Sequence, residues 1–176
     1  MKRKCLNSAF TLLELVVVVA IISLLAAMLF PVFSSVRRQA RKTAAFTEAQ
    51  NIETALKQYY AEYAKWPTGL TETAGTRISG DLADILQGGN PDGSNPKQLQ
   101  FMQFSRFDSN NNPVNPWAGR DTPGTADSFY YALCDRNYDN IVQTPDTQTV
   151  RRTIIVWTIN GDAELNDSDY YVGTWQ

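Results

Sequence analysis

The chain has 176 residues, with 16 Lys and Arg against 18 Asp and Glu and a formal charge of −2. That length suggests one domain besides any membrane segment. The lack of a basic excess argues against nucleic-acid binding, whose usual footprint is a basic face, and the absence of His excludes His-based acid–base catalysis and His metal sites.

Residues 10–33 read FTLLELVVVVAIISLLAAMLFPVF, and between Leu15 and Phe30 the only polar residue is Ser23. As a helix this stretch spans roughly 36 Å at 1.5 Å per residue, enough to cross a bilayer core of about 30 Å. Glu14 sits near its start, and a carboxylate in an apolar helix is costly enough to be a functional-site hypothesis. Pro31, near its end, removes a backbone bond and tends to kink a helix. A secretory signal also has a basic start and an apolar core, but its core is usually shorter and no A-x-A triplet follows this one. A plain single-pass anchor is the stronger alternative. Charge bias does not settle its orientation, because Lys2, Arg3 and Lys4 precede the run while Arg37, Arg38, Arg41 and Lys42 follow it.

Lys2-Arg3-Lys4, then Ala9, then Phe10-Thr11-Leu12-Leu13-Glu14 and the apolar run together resemble the N-terminus of a type IV prepilin or a type II secretion pseudopilin. The resemblance implies a leader of residues 1–9. A prepilin peptidase would cut between Ala9 and Phe10 on the cytoplasmic side and N-methylate Phe10. Ala9 stands where the family usually has Gly. Glu14 and Pro31 match the family's glutamate and its helix-kinking proline, which makes them the candidate assembly residues. Loss of the leader removes three basic residues, leaving 13 against 18 acidic ones and a charge of −5. It also removes Cys5, so Cys134 alone remains and no internal disulfide can form; a small buried residue is the favoured reading of Cys134.

No Gly or Pro interrupts residues 34–63, where Ala45, Ala49, Ile52, Leu56, Tyr59 and Tyr63 recur at spacings of three and four. That periodicity predicts one amphipathic face continuing the helix to about Ala64, with Pro67 ending the pattern. Tyr59, Tyr60, Tyr63 and Trp66 read as packing against a head rather than as a ligand box. Residues 67–95 are turn-rich, with a short helix predicted at 81–87. Strands are predicted at 97–106, 129–133 and 153–159, a turn at Asn110-Asn111-Asn112-Pro113 and a loop at 143–148.

Asn115-Pro116-Trp117-Ala118-Gly119 resembles the D-P-W-G-N segment of major pseudopilins, with Asn115 in place of the Asp. The end of the chain, Trp157 through Asp162 and Asp169 to Trp175, resembles the pseudopilin ending in which an acidic loop precedes a final Trp. Two acidic clusters raise calcium. Asp162, Glu164, Asn166, Asp167 and Asp169 crowd hard oxygen donors into one loop, and the resemblance implies calcium there with Asp162 and Asp167 or Asp169 as ligands. In the weaker alternative, Asp135, Asn137 and Asp139 place oxygens at alternating positions, with Asp146 twelfth. Asn140 replaces the needed Gly and no helices flank that loop, so a hairpin turn rich in Asp and Asn competes with the metal reading. Paired carboxylates alone do not make a hydrolase, and there is no nucleophile motif, phosphate loop or Cys/His set, so no enzyme is expected.

The expected fold is α+β: a long N-terminal helix, membrane-spanning in its first half and amphipathic in its second, packed on a small antiparallel β-sheet head. The segments are a leader at 1–9, a transmembrane or filament-core helix at 10–33, its amphipathic continuation at 34–66 and the head at 67–176. The resemblance implies a structural subunit of a type II secretion pseudopilus or type IV pilus-like filament. Its implied partners are further copies of itself, minor pseudopilins, the prepilin peptidase and an inner-membrane assembly platform. It would sit in the inner membrane with its N-terminus cytoplasmic and its head periplasmic, then enter a periplasmic filament. The alternative is a membrane-anchored binding or sensor protein that never polymerises.

Overall fold

The chain forms a single 52-residue helix, α1 (Leu12–Tyr63), which continues through Pro31 and meets no further Gly or Pro, and it stops where Ala64 turns left-handed at φ 52°. A computed structural model describes residues 11–119, 124–165 and 167–176, and at 29–32 the backbone alone. The chain divides into two compact units, residues 1–39 and 40–176.

In the first unit the described apolar side chains of α1 have no cover. Leu12, Leu13, Leu15, Val16, Val17, Val18, Val19, Ile21, Ile22, Leu24, Leu25 and Met28 are all exposed. Ser23, the polar exception, donates its hydroxyl to the Val19 carbonyl at 2.7 Å, so its polar group is satisfied within the helix. Among the described residues α1 is the one helix long and apolar enough to cross a membrane.

The second unit is helix on sheet. After α1 come β1 (Thr76–Arg77), α2 (Gly80–Leu86), β2 (Tyr130–Cys134), β3 (Val142–Gln143), β4 (Thr149–Val150), β5 (Ile154–Ile159) and β6 (Tyr171–Gly173). The main sheet has the order β1-β2-β5-β6, antiparallel throughout, with Ala132 opposite Val156 in its central pair. β3 and β4 form a separate hairpin.

Successive strand residues face opposite sides, and the core divides accordingly. Tyr130, Ala132, Cys134, Ile154 and Val156 join Ala49, Ile52, Ala55 and Leu56 of α1 with Leu82 and Leu86 of α2. Leu133, Ile155 and Trp157 face the other way and pack with Val142 of the hairpin, Tyr171 and Trp175. The α1 face predicted from periodicity is therefore the buried one, and Tyr59 and Tyr63 anchor its end through hydroxyls donated to Ser94 O and Asn95 Oδ1, each at 2.7 Å. Cys134 is a free, buried thiol that burial pushes up to about 11.

The predicted strand at 97–106 is a correction, since that segment is irregular. Gln98 sits at φ 49°, and the amides of Phe101 and Met102 both donate to the Leu86 carbonyl at 3.0 Å. The segment caps the end of α2 instead of joining a ladder, while Phe104 still reaches the core. β6 and the β3–β4 hairpin were not expected. The predicted loop at 143–148 is that hairpin's turn, with Thr147 at φ 65°. The short helix and the Asn110–Pro113 turn fall where the sequence puts them, the turn with Asn111 at φ 60°.

The Tyr130 hydroxyl is buried with no hydrogen-bond partner among the described residues. Leaving such a group unsatisfied costs about 1–3 kcal/mol. Tyr130→Phe is therefore expected to raise the free energy of chemical unfolding, by about 1 kcal/mol. A loss of stability in the denaturation midpoint would contradict this.

Candidate functional site

At the start of α1, Thr11 and Glu14 close on each other. Glu14 Oε2 accepts both the Thr11 backbone N–H and the Thr11 hydroxyl at 2.9 Å, while Thr11 Oγ1 accepts the Glu14 N–H at 3.2 Å. This is a capping box, which pairs two amides that a helix start leaves without partners. The T-x-x-E spacing is its signature, so Thr11 was legible in the sequence and was missed. Both bonds to the carboxylate fall on Oε2, and a carboxylate has about four lone-pair sites, so Glu14 keeps accepting capacity at Oε1. Ala9 and Phe10 lie outside the described residues. Pro31 lies within the range of α1, and its side chain is outside the described set.

A second constellation joins the Asn115–Gly119 segment, the β5–β6 loop and α1. Asn115 is fully buried, and every polar atom of its side chain is engaged. Its Nδ2 donates to Asp127 O at 2.7 Å, Thr158 Oγ1 at 2.8 Å and Ile159 O at 3.3 Å. Its Oδ1 accepts the amides of Trp117 and Ala118 at 3.1 and 3.2 Å. This aims the Trp117 indole, whose Nε1 donates to Asp162 Oδ2 at 2.8 Å. Asp162 Oδ1 lies 3.6 Å from Arg41 of α1. The next residue of α1, Lys42, donates to Asp169 Oδ2 at 3.2 Å, and Asn160 Nδ2 holds the same oxygen at 3.2 Å. Asp167 Oδ2 accepts the Glu164 amide at 2.8 Å within the loop. Arg41 and Lys42 read from sequence only as flanking charge; they are the cations that tie this loop to the helix.

Asn166 lies outside the described residues, and the carboxylates of Asp162, Asp167 and Asp169 each face a different donor. In the other candidate loop, Asp135 is buried and accepts the amides of Tyr138 and Asn140 at 2.7 and 2.8 Å. Asn137 Oδ1 accepts the Asp139 amide and Asp139 Oδ1 accepts the Ile141 amide. Asp146 accepts from the Thr144 hydroxyl and from Gln148 Nε2. These are self-closing Asx turns of the kind Asp and Asn favour. Among the described residues no group of three or more His, Cys, Asp or Glu side chains could hold a metal ion. Asp162→Ala is expected to cost about 1–2 kcal/mol by breaking the bonds to Trp117 and Arg41, a value between a charged hydrogen bond and a half-exposed ion pair. The parent's melting temperature is expected to match in calcium and in chelator. A calcium-dependent rise, lost in Asp162→Ala, would show instead that the loop rearranges around a cation.

Comparison with known proteins adds to this geometry. Residues 6–30 match the prokaryotic N-terminal methylation motif. The chain is 34% identical over 77 residues to a fimbrial protein of Neisseria meningitidis serogroup A, covering 44% of this chain and 45% of that one. It is 35% identical over 66 residues to the type IV major pilin protein PilE1 of Neisseria gonorrhoeae, covering 38% and 40%. It is 34% identical over 64 residues to the fimbrial protein EcpC of Eikenella corrodens, covering 36% and 42%. The chain spans less than half the length of these relatives, and no solved structure matches it. With a methylation motif leading into a long apolar helix, and that helix continuing onto a small antiparallel sheet, the chain is type IV pilin-like.

Proposed function

We propose that this chain is the structural subunit of a type II secretion pseudopilus or type IV pilus-like filament, stored in the inner membrane and assembled from it. The observation that carries this reading is the joining of the methylation motif at residues 6–30 to a helix whose apolar side chains are exposed from Leu12 to Met28. Lipid covers that surface before assembly and neighbouring copies cover it afterwards. Support for the pilus side comes from the names of the relatives, fimbrial protein and type IV major pilin. Support for the secretion side comes from the Asn115-Pro116-Trp117 segment and the acidic loop before Trp175. The prepilin peptidase, an assembly platform and minor pseudopilins are the proposed partners, with the N-terminus cytoplasmic and the head periplasmic.

Cleavage before Phe10 would create an ammonium at the top of the apolar helix. An unpaired charge in lipid is costly, by about 2.5–3.5 kcal/mol at the bilayer centre on insertion scales and by less at the end of the span. The incoming subunit's amine can pair with Glu14 of a subunit already in place, at the accepting capacity that Thr11 leaves open. Pairing would favour leaving the bilayer and fix the axial step between copies.

Two measurements test this. Mass spectrometry of the mature protein is expected to show N-methylated Phe10; an intact Met1 terminus in cells with active prepilin peptidase would reject the processing step. Glu14→Val is expected to insert and be cleaved normally but to lose filament assembly. Assembly at the parent's level would reject the pairing and favour a simple anchor.

A further inference from the structure

The end of α1 and the loop at 135–141 enclose a cavity of about 200 Å³. That is below the roughly 300–1,000 Å³ of sites that take drug-sized ligands, so it admits a single ring. Three aromatic side chains wall it. Tyr60 and Trp66 lie with ring centroids 4.6 Å apart at 36°, and Trp66 is fixed by its Nε1 donating to the Asp135 carbonyl at 3.1 Å. The third wall, Tyr138, is 63% exposed.

Tyr138 is held there against its backbone preference. It sits at φ 63° and Asn140 at φ 59°, in the left-handed region where a bulky residue is an outlier costing on the order of 1 kcal/mol or more. The Asp135 carboxylate imposes this turn by accepting both of their amides. An exposed aromatic ring adds little to a hydrophobic core, so core packing does not account for the strain.

The polar groups of the cavity define what would fill it. Asn140 and Thr153 line it, and neither side chain hydrogen-bonds to any described residue. Lys57, the one cation in the wall, is engaged by Glu53 Oε1 at 2.6 Å, and Asp135 supplies an opposing charge. A quaternary ammonium would suit the aromatic faces but meets Lys57. A flat aromatic would leave Asn140 and Thr153 unpaired. A neutral sugar ring matches both sets: its C–H face suits the negative faces of the aromatic rings, and its hydroxyls suit the Asn140 amide, the Thr153 hydroxyl and the remaining lone pairs of Asp135.

We infer that this cavity is a binding site for a single neutral sugar ring, with Tyr60, Trp66 and Tyr138 as its stacking surfaces and Asn140 and Thr153 as its hydrogen-bonding edge. The site is independent of the filament reading. It is tested on the full chain in a detergent without a sugar headgroup, by saturation-transfer NMR against methyl glycosides of hexoses and N-acetylhexosamines. Transfer to the ring C–H protons of at least one glycoside is expected. Tyr138→Ala should weaken that binding by about tenfold or more at an unchanged melting temperature, and Thr153→Val should weaken it as a second, milder variant. No transfer to any glycoside would overturn the site. So would binding undiminished in both variants, or transfer to tetramethylammonium or phenol with none to the sugars.

Discussion

From Leu12 to Met28, every large apolar side chain of α1 meets its surroundings uncovered. Burying one such side chain is worth about 1.5–3 kcal/mol, so twelve of them leave on the order of 20 kcal/mol or more to be recovered by a cover. Nothing in a lone protein in water supplies that cover. A bilayer does, and so does a bundle of like helices. The two differ little for the apolar residues, because lipid tails are as apolar as leucine and give no hydrophobic drive to helix association. The choice between membrane and filament therefore falls to close packing and to the few polar groups in the segment. Ser23 is already satisfied by Val19, and Glu14 is the residue we propose tips the balance.

Glu14 is not idle in the single chain. Its Oε2 and Thr11 form the box that starts the helix, which lowers the cost of holding a carboxylate in an apolar setting. The same arrangement leaves Oε1 to a cation from another copy. In the assembly we propose, storage and assembly use the two oxygens of one side chain. In the head, stability rests on a different economy of polar groups. Asn115 is buried with all its donors and acceptors met, and through Trp117 and Asp162 it links the sheet to Arg41. A buried amide so placed specifies one arrangement, because any shift would strand several polar atoms at once.

The long helix was legible because its signals are dense: a 24-residue apolar run, then Ala45, Ala49, Ile52, Leu56 and Tyr59 at helical spacing with no Gly or Pro between. Strands β2 and β5 were legible for a similar reason, since runs such as Tyr130-Tyr131-Ala132-Leu133 and Ile154-Ile155-Val156 are buried on both faces. What the sequence hid is set by partners distant in the chain. Residues 97–106 carry the apolar content of a strand, but their amides go to the Leu86 carbonyl. β6 is three residues ending in Gly173 and exists because β5 offers it an edge. The acid-rich loops looked like metal sites because Asp and Asn supply both calcium ligands and self-closing turns; in Asp135 and Asp139 backbone amides occupy the carboxylates, and in Asp162 and Asp169 the claimants are Trp117, Arg41 and Lys42.

The central claim is that copies of this chain replace lipid around residues 12–28. Cys134 is buried with its thiol pushed up to about 11, so in a Cys5→Ser background an introduced cysteine reacts alone. The direct measurement places cysteines along residues 15–28, singly and in pairs, and oxidises intact cells with the Glu14→Val chain as the control that stays in lipid. At least one position is expected to give a ladder of cross-linked multimers that the control lacks. Monomer alone at every position, or the same ladder with Glu14→Val, would contradict the account.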